Sequence, residues 1–248
     1  MALKTKIKVA RIYQNKAVLV YDQVSAPRFT ELLRVIAKHC PSPGKVFDVG
    51  CGTGTLLFKL HKLGWAIQGC DPSAAMRRAA RLKNQGARID RASASQFKPS
   101  QAPDLLTCTS DVINHIDSLS DVQFFLRRAF QCLAVGGIFI FDSITPNDIE
   151  NNWPGYVQLN QAKNFYMLRY GAKIDSCVGT LTYDLFLKSR SGVWKRSTEV
   201  HSLRALKIKW IQTELGRVGF RNIEIRDALT LRSPTKRTCR WICVAKKP

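Results

Sequence analysis

The sequence predicts an α/β fold: a doubly wound, mostly parallel sheet of seven strands, with a small antiparallel sheet inserted before the last two of them. Three observations support this prediction. Between Lys45 and Asp142, short apolar runs alternate with segments of helical period, which is typical of strands joined by crossover helices. From about Phe165 to Leu203, three strand-like stretches are separated only by short turns, so they should pair antiparallel. A helical segment and two more strand-like runs follow.

The first half of the chain supplies five strands and the helices between them. The predicted strands are Lys45–Val49, Ala66–Cys70, Arg88–Arg91, Leu105–Cys108 and Ile138–Asp142. Apolar residues at helical spacing indicate one helix before these strands and three between them: Phe29, Leu32, Leu33 and Ile36; Leu56, Leu60 and Leu63; Met76, Ala79 and Ala80; and Val122, Phe125, Leu126, Ala129, Phe130 and Leu133. Gly64 is a suitable residue to end the second of these helices.

The second half supplies the inserted sheet and the end of the main one. The inserted strands are predicted at Phe165–Lys173, Gly179–Lys188 and Val193–Leu203, and the last two strands of the main sheet at Asn222–Arg226 and Thr238–Ala245. Ile208, Ile211, Leu215 and Val218 indicate a helix between the two groups. We therefore expect residues 1–142 to form the first part of the main domain, residues 143–204 an inserted antiparallel lid, and residues 205–248 the rest of the main domain.

The composition describes a folded and strongly basic protein. A domain of this length buries roughly 70–75% of the surface that its unfolded chain exposes, and a 45% hydrophobic content excludes a disordered chain. Lys and Arg number 39 against 18 Asp and Glu, which leaves a net charge of +21. An excess of this size favours an anionic substrate or partner, RNA included, and says nothing about the fold.

The cysteines and histidines predict no metal site. The eight cysteines are scattered without a CxxC pair, and the four histidines are far apart in the sequence. We interpret the cysteines as free thiols that pack as small hydrophobic groups in a reducing compartment. The N-terminal residues carry charge without an apolar run behind them, and no stretch approaches the ~20 apolar residues of a membrane span. We therefore expect a cytoplasmic protein with no membrane partner.

A glycine loop after the first strand is the most informative segment. Gly50-Cys51-Gly52-Thr53-Gly54 follows a buried strand that contains Asp48 and precedes a helix. Glycines at alternate positions let the backbone approach a bound cofactor and offer it N–H groups. A dinucleotide site would have Gly at the sixth position of the loop, where this chain has Thr55. The loop instead resembles the first motif of the class I S-adenosylmethionine-dependent methyltransferases.

Further landmarks of that family follow in the same order. The second strand ends in Cys70-Asp71-Pro72-Ser73, and an acid at this place can accept hydrogen bonds from both hydroxyls of a ribose. Dinucleotides also contain ribose, so Asp71 alone does not distinguish the two cofactors. Three more segments are similar to the family's motifs around its fourth, fifth and sixth strands: Pro103–Ile116, Leu133–Gly137 and Leu215–Phe220. The resemblance covers about residues 13–245 and implies a Rossmann-like domain that binds S-adenosyl-L-methionine.

The resemblance also implies which residues hold that cofactor. They are the glycine loop with the acid before it, the residues after the second, third and fourth strands, and two N-terminal tyrosines over the methionine end: Asp48, Gly50, Cys51, Gly52 and Gly54; Asp71, Pro72 and Met76; Ser93 and Ala94; Thr109; Tyr13 and Tyr21. Many relatives have an acid at the place of Ser93, so adenine recognition here should rely on backbone or hydroxyl contacts. Ordinary roles remain open, with Asp71 as a helix N-cap and Met76 and the tyrosines as packing residues.

Two histidines are candidates for acid–base chemistry. His115 follows the fourth strand, at the carboxyl edge where open α/β sheets bind their ligands, and His201 lies on the predicted lid. Histidine can take up a proton near neutral pH, although a lone histidine also serves structural roles.

The expected activity is transfer of a methyl group to nitrogen or oxygen of a small molecule by in-line displacement. The inserted lid favours a compact acceptor, and aromatic residues there are available to line its pocket: Trp153, Tyr156, Phe165, Tyr166, Tyr170, Tyr183, Phe186 and Trp194. Two alternatives remain. The net charge favours an RNA or tRNA methyltransferase, although the motifs of adenine amino-methylation and cytosine-5 methylation are absent. A binding module without catalysis, which uses the same fold to hold nucleic acid or protein, is the other.

Overall fold

A computed structural model of the chain describes residues 18–25 and 29–248. Its strands are β1 (Lys45–Val49), β2 (Ala66–Cys70), β3 (Arg88–Asp90), β4 (Leu105–Cys108), β5 (Ile138–Ile144), β6 (Val157–Ala162), β7 (Phe165–Lys173), β8 (Val178–Lys188), β9 (Trp194–Arg204), β10 (Arg221–Asp227) and β11 (Arg240–Lys246). Its α-helices are α1 (Val18–Ser25), α2 (Phe29–His39), α3 (Thr55–Lys62), α4 (Ala74–Lys83), α5 (Leu119–Cys132), α6 (Pro146–Asn151) and α7 (Ile208–Val218). A short 3-10 helix covers Val112–His115.

The main sheet has seven strands in the order β10-β11-β5-β4-β1-β2-β3. The strands β1 to β5 run parallel to one another, and β11 is antiparallel to both of its neighbours. The order reverses its direction between β1 and β4, which is the point where open sheets of this kind form a crevice for ligands. The predicted α/β fold with seven main strands and an antiparallel insert is therefore confirmed.

Apolar side chains of the central strands alternate between two core clusters, one on each face of the sheet. Phe47 and Leu106 lie in one cluster, whereas their chain neighbours Val46 and Leu105 lie in the other. The helices α5 and α7 cover the first face, and α2 and α3 cover the second. Burial on both faces explains why these strands read as continuous apolar runs in the sequence.

The inserted segment forms a separate antiparallel sheet in the order β6-β7-β8-β9, which we call the lid. Leu181 and Leu203 of the lid pack with Ile144 at the end of β5 and with Trp153 after α6. A second small cluster joins the lid to Val20 of α1. The lid is therefore fixed to the main domain at two places on the carboxyl side of the sheet.

The lid has one strand more than the sequence predicts. β6 is an edge strand whose residues are largely exposed, and its polar residues Gln158, Asn160 and Gln161 leave only a weak apolar signal. The short helix α6 was not predicted either, although Pro146 at its first turn and Thr145, which accepts a hydrogen bond from the Asp148 amide, mark its start. Among the described residues, no helix combines the length and the apolar composition that crossing a membrane requires.

Several predicted boundaries shift by one or two residues. β5 continues past Asp142 to Ile144, because β11 pairs with it as far as Ile144. β11 begins two residues after the predicted Thr238, whose hydroxyl donates to Asp227 at the end of β10. Leu133 caps α5 in extended conformation and is not part of the helix.

Candidate active site

A cavity of about 640 Å³ lies at the carboxyl ends of β1 to β4, and we call it the carboxyl-edge cavity. Its volume falls within the roughly 300–1,000 Å³ that small-molecule sites occupy. The residues that line it are Tyr21, Gly50, Gly52, Asp71, Pro72, Met76, Ala92, Ser93, Ala94, Ser95, Gln96, Thr109, Ser110, Val112, His115, Ile116, Asp117 and Asp121. Nine of the predicted cofactor residues and the predicted His115 are thus brought to one surface.

The glycine loop forms one wall of this cavity because its backbone adopts a conformation that favours glycine. The φ angles of Gly50, Gly52 and Gly54 are 71°, 54° and 74°. A Cβ atom on Gly50 would lie 2.5 Å from a methyl carbon of Val112, and one on Gly54 would lie 2.5 Å from the side-chain amide of Asn84. Gly54 does not itself line the cavity; it lets α3 and α4 approach each other behind it.

Two main-chain amides fix the carboxylate of Asp71 next to the glycine loop. The Gly52 amide donates to Oδ2 at 3.0 Å, and the Ser73 amide donates to Oδ1 at 2.8 Å. Burial raises the pKa of Asp71 to about 6, even though these two hydrogen bonds oppose the shift. Asp71 is therefore mostly ionised at pH 7 and presents a charged acceptor to the cavity. Ser73, and not Asp71, is the N-cap of α4, since its hydroxyl accepts from the Met76 amide at 3.3 Å.

Two further residues of the predicted set lie behind the cavity. Asp48 is 3% exposed and accepts a hydrogen bond from the Thr107 hydroxyl at 2.7 Å. Burial raises its pKa to about 7, and the nearby Asp71 adds to the shift. Cys51 is also buried, with its amide bonded to the Cys70 carbonyl at 2.9 Å. Their positions indicate that they support the loop without contact with a ligand.

The side of the cavity near β3 is made of small and hydroxyl side chains. Met76 is 1% exposed and forms the apolar floor together with Ala92 and Ala94. The Ser93 hydroxyl lies 2.9 Å from the Ser95 hydroxyl. This side of the cavity therefore offers two hydroxyl groups.

Helix α1 lies beside the glycine loop and contributes Tyr21 to the cavity. The next residue, Asp22, accepts from the Thr53 hydroxyl at 2.5 Å and from the Thr55 hydroxyl at 2.9 Å, and it forms a salt bridge with Lys83 at 2.5 Å. These contacts tie α1 to the loop and to α4. The other predicted tyrosine, Tyr13, lies outside the described residues.

After β4 the backbone enters the left-handed region at two consecutive residues that are not glycine. Ser110 and Asp111 have φ angles of 62° and 70°, and such residues cost on the order of 1–3 kcal/mol each. Asp142 accepts from the two amides at 3.1 and 3.3 Å, and Arg240 forms a salt bridge with Asp111 at 2.5 Å. Partly buried charges at the end of β5 and the start of β11 therefore hold this strained segment against the cavity.

The two predicted histidines are in contact, but only His115 lines the cavity. The ring centroids of His115 and His201 are 5.5 Å apart, and His201 is 1% exposed, with Nε2 3.3 Å from a carboxylate oxygen of Glu199. Burial and then the neighbouring His201 lower the pKa of His115 to about 4. His115 is therefore neutral at pH 7 and can accept a hydrogen bond, whereas His201 lies one layer behind it.

Sequence reasoning missed several lining residues. Val112, Ile116 and Ser110 belong to the segment that was identified after the fourth strand, and they were not singled out within it. Asp117 and Asp121 also line the cavity. Asp121 carries a recognisable signal, because Ser118 accepts from its amide at 3.0 Å as the N-cap of α5.

Comparisons with known proteins agree with this arrangement. The family profile described as a methyltransferase domain matches residues 47–139, which include the glycine loop and Asp71. The protein named "Putative methyltransferase GWCH70_2453" from Geobacillus sp. (strain WCH70) is 24% identical over 213 residues, or 82% of this chain and 84% of the relative.

Two solved structures share the fold over nearly the whole chain. An S-adenosylmethionine-dependent methyltransferase from Clostridium acetobutylicum superposes with a TM-score of 0.79 at 20% identity, covering 93% of this chain and 96% of the other. The sugar N-methyltransferase KedS8 from a Streptoalloteichus species superposes with a TM-score of 0.76 at 19% identity, covering 98% of each chain.

The raised pKa of Asp48 predicts how stability changes with pH. The unfolded chain releases this proton near pH 3.8 and the folded protein only near pH 7, so the acid destabilises the fold by at most about 1.4 kcal/mol per pH unit as pH rises between these values. Asp48→Asn keeps the acceptor for Thr107 and removes the titration. We expect the stability of the variant relative to the wild type to increase as pH rises from about 4 to about 7 in urea unfolding, and to level off above that. The exposed Asp117→Asn serves as control, and equal pH dependence of all three proteins would contradict the prediction.

Proposed function

Because the chain belongs to the class I S-adenosylmethionine-dependent methyltransferases, we propose that it transfers a methyl group from S-adenosylmethionine to nitrogen or oxygen of a small-molecule acceptor. The observation that carries the proposal is the joined pair of Gly52 and Asp71 at the cavity wall. It sets main-chain groups of the glycine loop and an ionised carboxylate side by side, at the places where the family holds its cofactor.

The residues of the carboxyl-edge cavity fit this cofactor. In our proposal Asp71 accepts from the ribose hydroxyls, Met76 and Pro72 pack on the adenine, and the hydroxyl groups of Ser93 and Ser95 offer polar contacts at its edge. Tyr21, Gly50 and Thr109 lie near the methionine end. Asp48, Cys51 and Gly54 support the loop from behind.

Charge also favours this cofactor. The lining includes three carboxylates, Asp71, Asp117 and Asp121, and no Lys or Arg is among the described residues that line it. Within a chain of net charge +21, the cavity is therefore locally acidic. A sulfonium that also carries an ammonium group is attracted to such a site.

The chemistry demands little of the protein beyond orientation. The sulfonium of the bound cofactor supplies an already activated methyl group. The chain must hold the acceptor in line with that group and exclude water, and orientation of this kind contributes up to roughly 7–11 kcal/mol to the lowering of the barrier. Tyr21 of α1 lines the cavity, and the lid packs on Val20 of the same helix, so α1 and the lid are placed to limit the access of water.

We propose His115 as the group that accepts a proton from the acceptor. Its low pKa keeps the ring neutral and able to receive a hydrogen bond from an N–H or O–H group in the cavity. His201 is then a positioning residue, since it contacts the His115 ring and does not line the cavity.

The presence of the lid favours the proposal of a small-molecule acceptor. KedS8, whose name describes a sugar N-methyltransferase, has the same fold over 98% of this chain. We propose that residues 143–204 form the acceptor-binding part, while residues 1–142 and 205–248 form the Rossmann-like domain that binds the cofactor. Eight free cysteines support a location in the reducing cytoplasm.

An RNA acceptor is the second candidate, because the net charge of +21 favours a polyanion. The two candidates are separated by adding tRNA, at several salt concentrations, to the protein saturated with S-adenosylhomocysteine. We expect tRNA binding to vanish at physiological salt. The logarithm of the binding constant should fall linearly with the logarithm of the salt concentration, as it does for nonspecific phosphate contacts. Saturable binding that persists there would replace the small-molecule proposal with the RNA one.

The cofactor assignment predicts the effect of Asp71→Ala on binding of S-adenosylhomocysteine. Loss of a charged acceptor should weaken binding by at least ~1 kcal/mol, or about fivefold in Kd. Titration calorimetry measures it, with Asp71→Asn as a variant that keeps one acceptor oxygen. Asp90→Asn is the matched control, because Asp90 ends β3 next to Asp71 and does not line the cavity. Absence of saturable binding to the wild type would contradict the cofactor assignment and favour the binding module without catalysis.

The proposal for His115 predicts a selective loss of turnover. An acceptor is first identified by transfer of a radioactive methyl group to a panel of amines and alcohols. With that acceptor, His115→Asn should lower kcat by roughly 10²-fold or more. The Kd of S-adenosylhomocysteine should stay within twofold, since the ring is not at the ribose side. Equal kcat values in the two proteins would show that no proton passes through His115.

A further inference from the structure

A second cavity, of about 160 Å³, lies between the lid and the end of β5, and we call it the lid cavity. Trp153 and Tyr156 line it from the segment after α6, Arg169 from β7, and Asp111 and Arg240 from the main domain. This volume equals that of roughly five water molecules at ~30 Å³ each. The lid cavity can therefore hold a small polar group, and it is too small for a nucleoside.

Most charged groups of the lid cavity already have partners. Arg240 forms salt bridges with Asp111 at 2.5 Å and with Asp142 at 3.3 Å. Asp148 accepts from the indole N–H of Trp153 at 3.0 Å. Charge is therefore balanced at this end of the cavity, although Arg240 Nη1 makes only the ion pair and no hydrogen bond.

Arg169 differs because its hydrogen-bond partners are neutral side chains, Tyr183 among them. Its Nη2 atom donates to the Tyr156 hydroxyl at 2.5 Å and to the Gln158 side chain at 2.6 Å, both of them neutral groups. Its Nε atom is buried and has no hydrogen-bond partner. Among the described residues no carboxylate pairs with this guanidinium. A partly buried guanidinium whose hydrogen-bond partners are all neutral can still take up an anion, so this end of the lid cavity suits a negative group.

The lid cavity adjoins the proposed reaction site. Asp111 lines it, while the residues on either side, Ser110 and Val112, line the carboxyl-edge cavity. Tyr183 stands opposite Arg169 in the β7–β8 register, and its ring centroid lies 4.7 Å from that of His201. His201 in turn contacts His115. A group held at Arg169 is therefore connected with His115 through adjoining side chains.

We propose that Arg169 binds an oxyanion of the methyl acceptor, a carboxylate or a phosphate, in the lid cavity. A guanidinium matches both groups, because its planar fork can donate two parallel hydrogen bonds. The cavity size agrees with a single such group. The inference rests on the proposed function: the oxyanion anchors the acceptor on the lid, and the rest of the acceptor extends past Asp111 to present its nitrogen or oxygen beside His115.

The test uses the full chain saturated with S-adenosylhomocysteine and two probes, sodium phosphate and sodium acetate. The increase in melting temperature is followed against anion concentration at ionic strength held constant with sodium chloride. Arg169→Met removes the charge and keeps much of the volume. Arg190→Met is the matched control, because Arg190 lies in an exposed turn of the lid outside the cavity.

We expect saturable stabilisation of the wild type by at least one probe, and the stronger probe indicates whether a phosphate or a carboxylate is bound. The midpoint concentration should rise at least tenfold in Arg169→Met and less than twofold in Arg190→Met. Arg169→Lys should fall between them and replaces Arg169→Met if that variant does not fold. Equal midpoints in wild type and Arg169 variants, or no saturable effect in the wild type, would overturn the inference.

Failure of this inference is distinguishable from failure of the proposed function. Titration of S-adenosylhomocysteine into the same variants reports on the carboxyl-edge cavity alone. We expect Arg169→Met to keep the wild-type Kd within twofold. Normal cofactor binding without an anion effect would reject only the role of Arg169, whereas a wild type that binds no S-adenosylhomocysteine would reject the methyltransferase proposal and with it the acceptor site.

Discussion

The hydrogen bond from the Gly52 amide to the Asp71 carboxylate is the interaction on which the rest of the site depends. It joins the loops that follow β1 and β2, two strands that pair in parallel along their whole length. The left-handed backbone at Gly52 directs its N–H toward Asp71, and the second oxygen of Asp71 accepts from Ser73 at the start of α4. One buried carboxylate therefore fixes the positions of both loops and of the helix behind them. A ligand that bonds to Asp71 is therefore also positioned relative to the glycine loop.

The edge after β4 is ordered by a different means. There the strained pair Ser110 and Asp111 is stabilised by Asp142 and Arg240, which are distant in the sequence and meet because β11 pairs with β5. This segment separates the carboxyl-edge cavity from the lid cavity, since its residues face both. Backbone strain at this point places the proposed cofactor site and the proposed acceptor site next to each other. The same antiparallel strand that completes the sheet thus also completes the boundary between the two cavities.

The sequence predicts those parts of the site whose signal is local. The glycine loop, Asp71 and His115 all lie directly after apolar strand patterns, and parallel strands must bring their carboxyl ends to one edge. Asp22, Arg240 and Arg169 carry no such signal, because each acquires its role from partners far away in the chain. β6 was missed for a related reason: an exposed edge strand needs no apolar alternation, and main-chain pairing with β7 alone defines it. Local patterns therefore give the proposed cofactor side of the site, whereas the proposed acceptor side depends on tertiary contacts.

Net charge proves a poor guide to the site itself. The basic residues that give the chain its charge of +21 are absent from the described lining of the carboxyl-edge cavity, which instead presents Asp71, Asp117 and Asp121. A polyanion threaded into this cavity would meet carboxylates, and like charges at close range are unfavourable. Arg169 has no anionic partner among the described residues and lines a space for a single small group. A cationic methyl donor on the acidic side and a compact anionic acceptor on the lid side would satisfy both ends at once.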